Sequence, residues 1–134
     1  MACMEWNQEL ETGIQKIDSQ HRQIVNYINE LDDAIQTGNT EGIRHVIEGV
    51  LNYTVTHFEL EEELMQQAGF SGLKAHQQTH EFFMRKVAVL RGRFQEGENV
   101  SSLLLSMLKG WIVSHIKGED RDYIVAVKRI TGET

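Results

Sequence analysis

At 134 residues and 15.4 kDa, the chain is long enough to bury a core and short enough to form one domain, spanning 1–134. It has no proline, is 40% apolar and only 7% aromatic, which suits packed helices and argues against a sheet or a disordered segment. A formal charge of −7 and a pI near 5.3 exclude a nucleic-acid or anionic-membrane partner.

No apolar stretch nears the roughly 20 residues of a membrane span. The opening "MACMEWNQEL" shows neither a basic segment nor an apolar signal core, so a cytoplasmic protein is expected. The single cysteine, Cys3, cannot form an internal disulfide.

Residues 1–17 read as an extended arm able to lay Trp6, Leu10 and Ile14 on the domain. A helix is then expected over 18–36, with Asp18 or Ser19 as N-cap and Ile24, Val25, Ile28, Leu31 and Ile35 as its apolar stripe. The break "TGNTEG" precedes a second helix over 40–67, which carries Ile43, Val46, Ile47, Val50 and Met65 and ends at "AGFSG". A third, over 72–95, carries Leu73, Phe83, Val87, Leu90 and Phe94 and ends at "EGEN"; a fourth covers 100–117 with Leu104, Leu108, Trp111 and Ile112. Short links between long amphipathic helices favour antiparallel neighbours. The expected fold is therefore all-α, an antiparallel up-down-up-down four-helix bundle with an N-terminal extended arm. The outer faces read as charged, with no second apolar stripe, so a monomer is expected.

Five of the six histidines fall on the inward stripes. His21 begins the row of Ile24 and Ile28; His57 continues Ile43, Val50 and Thr54; His115 continues Leu104, Leu108 and Trp111. The pairs His57/Glu61 in "HFELE" and His76/His80 in "HQQTH" are four apart, and such residues stack on one side of a helix. His45 lies off its stripe and is read as solvent-facing. A lone histidine on an apolar face is more often a hydrogen-bonded core residue than a ligand. Five imidazoles and a carboxylate turned inward would each cost several kcal/mol without partners, on the order of 2–7 for a polar group, and a metal centre accounts for all of them together. In an up-down-up-down bundle these positions also meet at one end.

In "HIKGED", His115 and Asp120 are five apart, about 140° round a regular helix. A widened, π-like turn, eased by Gly118, would make them a ligand pair. Alternatively Asp120 belongs to the solvated charged run "KGEDRD", and spacing alone does not choose. Around Glu61, Glu59, Glu62 and Glu63 compete for the same role; the four-residue spacing from His57 favours Glu61, and Glu62 and Glu63 are read as facing water.

The pieces "IDSQH", "HFELEEELM", "HQQTH" and "WIVSHIKGED", in that order after the Trp-containing "MEWN", resemble the hemerythrin family, in particular its single-domain bacterial members. The resemblance spans essentially the whole chain. It implies a cofactor of two iron ions joined by an oxo or hydroxo bridge, His76, His80 and His115 holding one iron and His21 and His57 the other, with Glu61 and Asp120 bridging. Counted against two roughly octahedral irons, about twelve positions in all, these ligands leave one position open, on the iron with fewer histidines. The function implied is reversible dioxygen binding for carriage, storage, delivery or sensing, without enzymatic turnover. Ile24, Ile28, Trp111 and Ile112 would line a dry oxygen pocket; the family often has leucine where Ile112 stands. Phe58 is read as core packing; Tyr123, three past Asp120, could reach the site or simply cover it, and cover is favoured. Competing readings are a di-iron enzyme handling peroxide or nitric oxide, which would need proton delivery, and a bundle storing iron or zinc.

Overall fold

A computed structural model describes residues 4–116 and 120–132, the side chains of Glu9, Asp120, Arg121 and Asp122 apart. Among the described residues there are five α-helices and no strand: α1 (Gln15–Thr37), α2 (Thr40–Gln67), α3 (Leu73–Gln95), α4 (Ser101–Ser114) and α5 (Asp120–Thr131), after a 3-10 turn over Gln8–Leu10. α1 packs on α2 and α4, and α2 packs on α3 and α5. The expected four-helix bundle is present, with a fifth helix added.

The first helix begins at Gln15 rather than Asp18. Asp18 is not its N-cap but lies in its first turn, where its carboxylate accepts from the backbone N–H and hydroxyl of Thr12 (2.8 and 2.7 Å) and from the N–H of Gly13 (3.1 Å). One side chain thus ties the arm to the helix, and its charge suits the helix N-terminus. Leu10 and Ile14 are buried and Trp6 is half-buried, so the arm lies on the bundle.

At the other end of α1, Gly38 takes the left-handed conformation (φ 66°), which a residue without a Cβ adopts at little cost. Its N–H donates to Ile35 O and that of Asn39 to Ala34 O, closing the helix. Asn39 then caps α2, its side-chain oxygen accepting from Gly42 N–H at 3.0 Å. These two caps hold the antiparallel turn.

The core follows the stripes. Ile24, Ile28, Leu31, Val87, Leu104, Leu108 and Ile112 are fully buried, each contributing about 1.5–3 kcal/mol. A second, smaller cluster of Ile14, Ile17, Met65, Tyr123, Ile124 and Val127 joins the start of α1, the end of α2 and α5. It closes the end of the bundle at which the inward histidines lie.

Two further expectations need correction. The fourth helix was expected to run to 117; instead α4 ends at Ser114 and the backbone widens into a π-helical turn at His115 and Ile116, with α5 following from Asp120. The outer faces are not uniformly charged either, because Phe82, Val89 and Leu103 are more than half exposed along the α3–α4 groove.

Candidate metal centre

The bundle brings His21 from the start of α1, His57 and Glu61 from the end of α2, and His115 from the end of α4 into one cluster. Their donor atoms all lie within 4.8 Å of one another, and all four side chains are fully buried. His57 Nε2 is 3.0 Å from His21 Nε2, 3.4 Å from His115 Nε2 and 3.0 Å from Glu61 Oε1; His115 Nε2 is also 3.0 Å from Glu61 Oε1. His80, 3% exposed, sets Nε2 at 3.6 Å from the same Glu61 oxygen. His76, 5% exposed, stands beside His80 and Tyr123, with ring centroids 6.1 and 5.5 Å away.

Proton positions decide what this cluster can hold. His57 Nδ1 faces the side-chain oxygen of Gln20 at 2.7 Å, and His80 Nδ1 faces a Glu62 oxygen at 2.9 Å. Acceptors at those positions put the ring protons on Nδ1, leaving the Nε2 lone pairs turned inward. His57 Nε2 therefore presents a lone pair to two further imidazoles and a carboxylate. His80 Nε2 and His76 Nδ1 are buried with no hydrogen-bond partner among the described residues. Buried ring nitrogens with open lone pairs, gathered around a carboxylate, are a set of donors that a cation can take. The nitrogen and oxygen set matches what iron or zinc takes, and the outer carboxylate and amide orient the rings as partners of metal-bound histidines do.

The electrostatics favour the same charge states. Burial pushes the His21 imidazole well below its ordinary range, with the neighbouring His57 adding to it, and burial also lowers His80. Burial alone would raise Glu61, but the facing His57 and His115 outweigh it and hold the carboxyl well below the usual range. Neutral imidazoles and an ionised carboxylate are the forms a metal binds.

The sign for stability follows. An unfolded imidazole titrates near 6.5, and the folded His21 and His80 titrate lower, so the unfolded chain takes up protons first as the pH falls. Their contribution is complete above about pH 6.5 and is lost below it; the depressed Glu61 acts in the same direction at lower pH. Thermal melts of the metal-free chain should hold level from pH 8 to about 7 and fall steadily towards pH 5. A melting temperature rising on acidification would contradict the neutral assignment.

The other named residues are distributed as follows. Ile24 and Ile112 are fully buried within a helical turn of His21 and His115, Ile28 is fully buried a further turn along, and Trp111 is half-buried, its ring stacked on His115 at 4.8 Å. Phe58 does more than fill the core, stacking on His80 at 3.8 Å with the rings 4° from parallel. His45, Glu59 and Glu63 are exposed. The side chain of Asp120, like Gly118, lies outside the described residues, where the expected pairing with His115 falls; a π-helical turn is present at His115 and Ile116.

Two partners were not read from the sequence. Gln20 and Glu62 contact candidate ligands, His57 and His80, on a neighbouring helix, and the spacing along their own helices carries no sign of that. Glu62 is accordingly not simply solvated, with 28% of its side chain exposed. Tyr123 is more than a cover: fully buried, it donates its hydroxyl in a short contact to Glu61 Oε2. Tyr123→Phe should cost about 2 kcal/mol, the usual range for a hydrogen bond to a charged group, measurable by urea unfolding of the metal-free chain. No loss would mean that the hydroxyl does not hold the carboxylate.

A helical bundle whose closed end gathers buried imidazoles around one carboxylate defines a metal-binding bundle. Residues 12–127 match the family described as Hemerythrin HHE cation binding domain. A bacteriohemerythrin of Pseudomonas aeruginosa is 44% identical over 133 residues, covering 99% of this chain and 87% of that protein. One from Methylococcus capsulatus is 33% identical over 125 residues, covering 92% and 95%. The crystal structure of a wild-type hemerythrin superposes with a TM-score of 0.88 at 30% identity, over 94% of this chain and 98% of the other. The chain belongs to the hemerythrin family. No helix among the described residues is long and apolar enough to cross a membrane.

Proposed function

We propose that this chain binds dioxygen reversibly at a carboxylate-bridged di-iron centre held by His21, His57, Glu61, His76, His80, His115 and Asp120. The observation that carries this reading is the convergence of buried Nε2 atoms on Glu61. In this proposal His76, His80 and His115 hold one iron, His21 and His57 the other, and Glu61 and Asp120 span the pair. A ferrous pair, when bound, supplies the electrons with which dioxygen is held.

The protein's own contribution is to orient and to keep dry. Gln20 and Glu62 fix the tautomers of His57 and His80, so those rings present lone pairs without rearrangement. The Tyr123 hydroxyl holds one oxygen of Glu61 and leaves the other facing the imidazoles. Trp111 and Phe58, stacked on His115 and His80, restrict the tilt of those rings. Ile24, Ile28 and Ile112 exclude water and offer neither acid nor base, which suits a bound gas that must leave unchanged.

One observation favours a second reading, an enzyme that turns over peroxide or nitric oxide: the Tyr123 hydroxyl brings a proton to the edge of the site. That proton is engaged on Glu61. The two readings separate optically. The chain loaded with ferrous iron without air should develop a visible charge-transfer band when oxygen is admitted and lose it when oxygen is removed. Rapid, irreversible conversion to a plain ferric spectrum would refute the carrier reading and support turnover.

A further inference from the structure

Alongside the candidate centre, a cleft of about 420 Å³ opens to solvent between α2 and α3. Glu59 and Glu62 line it from α2 and His80 and Glu81 from α3, with the Phe58 ring between them; its one lining cation is Arg85, 3.4 Å from Glu81. Three carboxylates against a single guanidinium give the cleft a net negative charge. Glu59 and Glu81 are exposed, whereas Glu62 is mostly covered and holds His80 Nδ1 at 2.9 Å. His80 is 97% buried by its 3% exposure, and its Nε2 has no hydrogen-bond partner among the described residues, lying 3.6 Å from Glu61.

These groups form a graded series of donors, from exposed carboxylates through a mostly covered one to a buried imidazole and then Glu61. A hydrated divalent cation is attracted by the outer oxygens and exchanges its waters for protein donors stepwise as it moves inward. We propose that the α2–α3 cleft is the loading port of the metal centre, where Glu59 and Glu81 collect the ion and Glu62 and His80 pass it inward. The proposal rests on the metal-binding part of the function proposed above and adds how the centre is filled. Carboxylates at the mouth raise the local cation concentration and so act on the rate of entry.

The test is the rate of Co²⁺ uptake by the full, metal-free chain, followed by stopped-flow absorbance. A Glu59→Gln, Glu81→Gln double variant removes mouth charge without touching a candidate ligand. Its uptake should slow roughly three- to tenfold at low ionic strength, with the difference shrinking towards 1 M salt and the equilibrium affinity unchanged. A Glu30→Gln, Asp33→Asn variant removes the same charge from exposed positions of α1 and should load at the parent rate. Equal rates in parent and cleft variant, or equal slowing in both variants, would overturn the port and leave the metal site standing. A parent chain that takes up no Co²⁺ and no Fe²⁺ would overturn both.

Discussion

Glu61→Ala is expected to give a chain that takes up no iron and, in its metal-free form, unfolds about 1–3 kcal/mol more easily than the parent. Glu61 has no solvent exposure, and its two oxygens meet His57, His115 and Tyr123. Removing the carboxylate takes from the buried Tyr123 hydroxyl this acceptor and leaves a void among the imidazoles. It also deletes the one oxygen donor in the four-residue cluster. Urea unfolding under chelator and metal analysis after iron loading read the two effects separately. A variant that unfolds like the parent would mean that Glu61 is hydrated in solution, and one that still loads fully would exclude it as a ligand.

Metal loading itself carries the second large effect. Any ligand that binds the folded chain and not the unfolded one stabilises by mass action, about 4 kcal/mol at a thousandfold excess over Kd. For a domain of this length that corresponds to a rise in melting temperature on the order of 15 °C. The three ring nitrogens of His21, His57 and His115 already stand 3.0–3.4 Å apart, so a metal finds them gathered before it binds. Acid should shrink the rise, since protons compete for the same nitrogens. Thermal melts with and without ferrous iron at pH 7.5 and pH 5.5 measure both quantities. Superimposable melts at pH 7.5 would show that the site and the fold are energetically independent.

Much of the fold and the inward-facing residues was legible because both rest on one period. The spacing that buries Ile24 and Ile28 also turns His21 inward, and the row through Ile43 and Val50 delivers His57. Periodicity is silent about contacts between helices. Gln20 and Glu62 sit beside inward-facing positions on their own helices and reach their histidines only because α1, α2 and α3 approach at particular depths. α5 was hidden by its brevity and by the charged run before it; its apolar contacts, Tyr123, Ile124 and Val127, are too few for a stripe to stand out. The start of α1 was misplaced because Asp18 resembles a cap, whereas its carboxylate is used backwards, to hold Thr12 and Gly13. Phe82, Val89 and Leu103 could not be recognised as exposed, since hydrophobicity in a sequence does not say which apolar face another helix covers.

In the proposed function the buried donors at the closed end of the bundle hold a pair of irons. The direct measurement is elemental analysis of the purified, iron-loaded chain, expressed as metal per polypeptide, with Glu61→Ala beside it. The account predicts a pair of irons in the parent and none in the variant. A single zinc with no iron, or iron retained undiminished after Glu61 is removed, would contradict it.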